Sequence, residues 1–251
     1  MLDLLKSPFL VFQEFVYLAG RALRNLVRKP LYWEDTLIQM DVIGVGSLAI
    51  VSLVGAFSGI VMALQMSRAI ENYGAASQTG TFVAITLVRE LGPVLTALLV
   101  AGRNASGIAS EIGSMKVTEQ IDAMRALGTD PSQKLITPRV IAMAFVLPLL
   151  TIIADFVGLC GGYLIAATRL GISAPQYWNS AQQALELNDL AQGLLKPFLF
   201  AFAIALVGCF YGIRTTGGTQ GVGRATTQAV VVASVWVFII DVMVTQVFVS
   251  L

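Results

Sequence analysis

The chain has 251 residues, of which 56% are hydrophobic and 12% charged, with a formal net charge of +1. A mean hydropathy of +0.78 excludes an ordinary soluble domain, whose charged share is about 25%. No basic cluster points to nucleic acid as a partner, and without histidine there is no histidine base or histidine metal ligand; no metal site is expected.

The first expected element is an amphipathic helix over residues 8–29. Phe12, Phe15, Ala19, Leu23 and Leu26 share one face, and Tyr17, Arg21, Arg24 and Arg28 another. That pattern suits a helix in a membrane interface with its basic side chains toward the headgroups; a soluble docking helix carries it too. Pro30 is expected to end the helix. Gln13 and Glu14 cut the first apolar stretch short and no small-residue cleavage site follows, so a cleavable signal peptide is not expected.

Five apolar runs follow, each long enough to cross a bilayer, which takes about 20 helical residues. They cover residues 42–67, 75–102, 140–168, 190–213 and 225–251. The first carries no charge, the second only Arg89 and Glu90, the third only Asp155, the fourth only Lys196 and the fifth only Asp241. Lipid offers backbone N–H and C=O groups no partners, so runs this long and continuous are helices. The expected fold class is an all-α integral membrane protein in one domain, 1–251, with five transmembrane helices. Gly158, Gly161 and Gly162 in the third span let helices approach closely. Cys160 and Cys209 lie within spans as small apolar side chains rather than a disulfide framework.

Between the second and third spans, residues 112–131 read IGSMKVTEQIDAMRALGTDP, with Lys116, Glu119, Asp122, Arg125 and Asp130 charged. Thr118 is expected to cap a short amphipathic helix, with Glu119 in its first turn and Val117, Ile121, Met124 and Gly128 on one face. Gly128 and Pro131 stop it. Periodicity alone fits a solvated loop helix as well as a docking helix. Residues 171–189, with Pro175 and Trp178, form a polar loop with room for a short helix. The glycine-rich TTGGTQGVGRATT from Thr215 to Thr227 lacks the Lys-Ser/Thr ending of a P-loop and follows an apolar helix, so nucleotide binding is rejected there.

Five spans place the termini on opposite sides, and basic residues choose which. Twelve of the sixteen share one side: Lys6, Arg21, Arg24, Arg28, Lys29, Arg103, Lys116, Arg125, Lys134, Arg139, Arg214 and Arg224. The other side has Arg68, Arg169 and Lys196. The expected N-terminus is cytoplasmic and the C-terminus external, or periplasmic in a Gram-negative cell.

Arg89, Glu90, Asp155, Lys196 and Asp241 each cost at least about 2.5–3.5 kcal/mol at bilayer depth, so they face a cavity or a partner. Pairing with one another, to fix helix packing, is one reading; a polar lining to a substrate cavity is the other. Pro93 removes a backbone donor beside Arg89 and Glu90 and is expected to kink the second span.

RELGPVLTALLVAGR (Arg89–Arg103), EIGSMKVTEQIDAMRALGTDP (Glu111–Pro131) and RTTGGTQGVGRATTQAVV (Arg214–Val231) together resemble the MlaE/YrbE family, permease subunits of ABC transporters that work with MCE proteins on lipids. The resemblance extends in order over nearly the whole chain, departing at Asn104-Ala105-Ser106-Gly107, where the family has a Gly-Ser-Ala pattern. It implies a permease of the bacterial cytoplasmic (inner) membrane that is a homodimer, holds phospholipid between its two copies, and meets an MCE-domain substrate-binding protein outside. It implies that Met115, Lys116, Val117, Thr118, Glu119, Gln120, Ile121, Asp122, Met124 and Arg125 belong to a coupling helix seated in a separate ABC ATPase subunit. No cofactor is then bound by this chain, ATP and magnesium belonging to the ATPase, and the chain is a transport subunit rather than an enzyme. Charged positions matching Glu90, Lys196 and Asp241 lie in or near the family's lipid cavity; Arg89 joins them as a cavity candidate only as an intramembrane charge, not through the resemblance. Against this stand a proton-coupled secondary transporter using Glu90 and Asp241, disfavoured by the lack of an inverted repeat, and a structural scaffold. An intramembrane enzyme lacks any nucleophile–base arrangement.

Overall fold

A computed structural model describes the backbone of residues 2–26, 30–71 and 78–250, and the side chains of 10–26, 30–66 and 78–250. Lys6, Arg28, Lys29 and Arg68, used above to orient the chain, lie outside the described side chains, as do Ser67 and residues 75–77 at the ends of the first two expected spans. Every regular element among the described residues is helical. In order they are α1 (Leu2–Asn25), α2 (Trp33–Glu71), α3 (Thr79–Thr86), α4 (Gly92–Val100), α5 (Ser106–Val117), α6 (Gln120–Ala126), α7 (Thr137–Leu170), α8 (Ala174–Ala184), α9 (Leu187–Ile213) and α10 (Gly218–Ser250). Wide π-turns at Leu87–Leu91 and Ala101–Ala105 keep the backbone helical from α3 through α4 to α5 without a loop.

Five of these stretches are long and apolar enough to cross a membrane: Trp33–Met66, Thr79–Val117, Ser132–Leu170, Leu187–Ile213 and Gly218–Ser250. Each expected span is present and most are longer than expected. The charge-free run that marks a span underestimates its helix, because polar first turns and last turns continue it beyond the apolar run. Glu34 and Asp35 occupy the first turn of α2, where negative charge meets the positive end of the helix dipole.

The chain divides into two compact units, Met1–Ile43 with Ala101–Ala144 and Ala201–Trp236, and Gly44–Val100 with Phe145–Phe200 and Val237–Leu251. In the second unit a seam of small residues brings α2 against α7. A Cβ on Gly55 would strike the backbone of Ala154, one on Gly59 the carbonyl of Gly158, and one on Gly161 the carbonyl of Ala56. Away from the seam α2 is apolar and open, with Val45 67%, Leu53 55% and Phe57 56% exposed, and α10 is likewise open at Phe238, Val242 and Met243. Apolar surface of this extent is unusual in water and natural against lipid or a second membrane helix. The loop after α7 contains a helix: α8 has Pro175 in its first turn and buries Tyr177 and Ala181. The Tyr177 hydroxyl donates to the Leu159 carbonyl at 3.2 Å.

In the first unit α1 covers Leu2–Asn25, starting before the expected Pro8 and ending short of Pro30. The expected apolar stripe divides. Phe15 meets Phe210 edge-on and stacks on Trp236, and Ala19 and Leu26 are half-buried, whereas Phe12 and Leu23 stay 57% and 50% exposed. Arg21, expected toward headgroups, instead pairs with Asp130 at 3.0 Å, and Glu14 pairs with Arg214 at 3.2 Å. Two ion pairs and an aromatic stack thus fasten α1 to its own unit and leave one apolar face free.

Candidate functional site: a charged cluster in the spans and a bent helix between them

Three of the five charges expected within the spans meet in the second unit. The Lys196 side chain is fully buried, and its Nζ donates to Glu90 Oε2 at 2.7 Å and to the Arg89 carbonyl at 3.0 Å. Asp241 Oδ1 lies 2.8 Å from the same nitrogen as an ion contact that is poorly directed for a hydrogen bond. Thr245 Oγ1, one turn after Asp241, donates to Glu90 Oε1 at 3.2 Å. A buried ammonium in lipid needs this many oxygens, since an unpaired charge there costs several kcal/mol.

The local sequence explains why the Arg89 carbonyl is available. Pro93 has no N–H, so the oxygen four residues before it loses its helical donor. The π-turn Leu87–Leu91 widens the helix there, with Gly92 N–H reaching back to the Leu87 carbonyl. Lys196 supplies the missing donor from α9. The expected kink is therefore a π-turn closed by a side chain from another helix.

Arg89 joins the cluster through a residue that the sequence reading left in a loop. Its Nε meets the Asp189 carboxylate, and the other Asp189 oxygen accepts the Glu186 N–H at 3.0 Å. Asp189 is the third residue of α9 and reaches back to the residue before the helix, as an N-terminal cap does. That position was legible as a cap; its pairing with Arg89 was not. Counting Arg89, Asp189, Glu90, Lys196 and Asp241, the cluster carries one net negative charge. Arg89 and Glu90, 41% and 39% exposed, form its open rim. Asp155 stands apart: it is 8% exposed, its carboxylate lies against Gly92 where α4 begins, and its Oδ1 has no hydrogen-bond partner among the described residues.

The polar segment between spans is not one helix begun by Thr118. It is the end of α5 and the separate α6, joined by a bend. Thr118 Oγ1 donates back to the Ser114 carbonyl at 2.9 Å and so closes α5, and Glu119 has φ 61°, in the left-handed region. Met115, Lys116 and Val117 finish α5; Gln120, Ile121, Asp122, Met124 and Arg125 lie on α6. The stop is as expected: Gly128 at φ 78° sends its N–H to Arg125 O and Thr129 N–H goes to Met124 O, both at 3.0 Å, the paired closure of a glycine-ended helix.

Between Met115 and Arg125 only Ile121 is buried; Glu119, Gln120, Asp122 and Arg125 are exposed, and Leu127 is 84% exposed. Lys116 Nζ donates to Asp122 at 2.8 Å across the bend, and Arg125 to its other oxygen at 3.0 Å. The Lys116 hydrogen bond is the main reason the Asp122 carboxyl is held below its ordinary range.

The left-handed Glu119 gives a prediction. A β-branched side chain strains this conformation by about 1–2 kcal/mol, so Glu119→Val should lower the melting temperature measured on purified protein, whereas Glu119→Gly should not. Equal melting of the two variants would mean that the bend is not held as described.

Most of the chain is similar to known proteins. Residues 36–247 match the family model described as Permease MlaE. A probable ABC transporter permease protein of Rickettsia typhi is 42% identical over 225 residues, covering 90% of this chain and 87% of that protein. The intermembrane phospholipid transport system permease protein MlaE of Haemophilus influenzae is 37% identical over 210 residues, 83% of this chain and 80% of that one. The chloroplastic protein trigalactosyldiacylglycerol 1 of Arabidopsis thaliana is 38% identical over 224 residues, 89% of this chain and 64% of its own length. With a match over most of its length and relatives well above 30% identity, the chain belongs to the MlaE permease family.

Proposed function

We propose that the protein is the membrane subunit of an ATP-driven phospholipid transporter of the bacterial inner membrane, working as a homodimer with separate ATPase subunits and an MCE-domain protein outside. The observation that carries the coupling part is the bend at Glu119. It ends a spanning stretch and presents α6 with exposed Glu119, Gln120, Asp122, Arg125 and Leu127, a charged surface with an apolar tip in a chain otherwise built for lipid. Such a surface suits a soluble protein groove, and a helix joined to a span through so short a bend passes force to it. Membership of the MlaE permease family and the phospholipid transport named for the Haemophilus influenzae relative support the substrate class.

In this reading the N-terminus is cytoplasmic and the C-terminus periplasmic, so that α6 meets the ATPase. Arg89, Glu90, Lys196 and Asp241 line the lipid cavity where two copies meet along open apolar helix faces. Closure of the ATPases on ATP shifts α6 and narrows the cavity. Proton coupling through Glu90 and Asp241 is the weaker reading, because Lys196 engages both carboxylates.

Reversing the charge on the exposed face tests this. Glu119→Lys with Asp122→Lys should reduce both co-purification of the ATPase subunit and lipid exchange to below about a tenth, as loss of central contacts does at protein interfaces. The ion pairs lost are exposed and worth under about 1 kcal/mol, so the variant should still insert and fold. Undiminished ATPase capture and lipid exchange would remove α6 from the coupling role.

A further inference from the structure

Beside α1, at the turn between α9 and α10, lies a pocket of about 410 Å³ that the transport reading does not use. It is lined by Arg214, Arg224, Thr216 and Gln228 on its polar side and by Val11 and Phe210 on its apolar side. No acidic side chain lines it among the described residues. Glu14 neutralises Arg214, but Arg224 makes no ion pair with any described residue and is exposed. The pocket thus offers a net positive charge, hydroxyl and amide groups, and an apolar wall in one concavity.

We propose that this pocket holds the phosphate headgroup of an anionic membrane lipid, as a bound structural lipid distinct from the transported one. Three features select the ligand class. The volume lies in the range of about 300–1,000 Å³ usual for organic ligands, well above what a bare phosphate fills. Arg224 supplies an unopposed guanidinium, the group whose flat fork matches phosphate oxygens. Val11, on the pocket wall, belongs to α1, the helix whose Phe12, Val16 and Leu23 remain at least 50% exposed. A pocket walled by an interfacial helix opens where headgroups are, and its occupant has an acyl end to lie along the free face of that helix. The lipid would then join α1 to the start of α10, beside the Glu14–Arg214 pair.

The test is photolabelling of the full chain in phosphatidylcholine vesicles containing a minor fraction of phosphatidylglycerol with a photoactivatable headgroup. Label should appear on peptides spanning residues 211–228 and on α1, and should fall as salt is raised. Arg224→Gln should lower that labelling about fivefold, in line with one basic side chain at an anionic surface; Arg224→Lys should keep most of it. Gln228→Glu, which adds an acid without removing the arginine, should lower it as well. Label on peptides containing Glu90 should be unchanged in these variants, which separates failure here from failure of the cavity assignment. Unchanged labelling of 211–228 in Arg224→Gln would overturn the proposal. So would equal labelling by a phosphatidylcholine probe, or displacement by soluble glycerol phosphate at matching concentration, which would make the site one for a free anion.

Discussion

Replacing Lys196 by methionine is expected to destabilise the protein by about 3–5 kcal/mol, the range for removing one partner of a buried ion pair. The ammonium is fully buried and serves Glu90, Asp241 and the Arg89 carbonyl at 2.7–3.0 Å. Its loss strands two carboxylates from different spans together and leaves the oxygen freed by Pro93 without a donor. Thermal unfolding in mild detergent measures the loss. A second variant, Lys196→Met with Glu90→Gln and Asp241→Asn, removes the charges together and should recover most of the stability, because a buried ion pair replaced whole is often close to neutral. The two variants divide the readings of the cluster. If the charges line a lipid cavity, the neutral variant is stable yet fails to exchange lipid. If they only pack helices, it exchanges lipid normally, and Arg89, Glu90, Lys196 and Asp241 lose their place in the proposed cavity.

Gly59→Leu is expected to cost about 3 kcal/mol, at the upper end for overpacking. Its first side-chain atom would fall on the Gly158 carbonyl oxygen, and neither partner is a flexible side chain able to swing away. The helices must separate, and with them the neighbouring contacts of Gly55 and Gly161. Membrane helices have no hydrophobic drive toward one another, so close backbone approach is much of what holds them. Gly107→Ala is the control: a Cβ there meets nothing within 4 Å, and alanine in an open helix should raise stability by up to about 1 kcal/mol. Chemical denaturation of both variants in the same detergent compares them. A Gly59→Leu protein as stable as Gly107→Ala would mean that α2 and α7 do not meet along this seam.

Much of this arrangement could be read along the chain. Uninterrupted apolar runs require helices in lipid because the backbone must satisfy itself, so the all-helical class and all five spans follow from composition. Gly128 as a stop follows from its freedom at positive φ, and Pro93 as a site of distortion from its missing N–H. The same local rules failed at Thr118 and Glu119. A threonine before a glutamate reads as the start of a helix, but Thr118 closes the helix behind it through Ser114 and Glu119 takes the left-handed turn. Either use of the hydroxyl is open to a local rule, and the helical backbone that enters from α5 settles which is adopted.

Sequence by itself determined that this is an all-α membrane chain with a charged, helix-forming interruption, because those properties depend on neighbours within a few turns. It determined too that the intramembrane charges need partners, since an isolated charge in lipid is too costly to leave alone. Only the tertiary structure decided which partners they have. Lys196 meets Glu90 across 106 residues of chain and Arg21 meets Asp130 across 109, separations at which periodicity carries no information. Asp189 came to Arg89 in the same way, from a position that reads locally as a helix cap. The need for a partner is a property of one residue and its solvent, whereas the choice of partner belongs to the packing of helices.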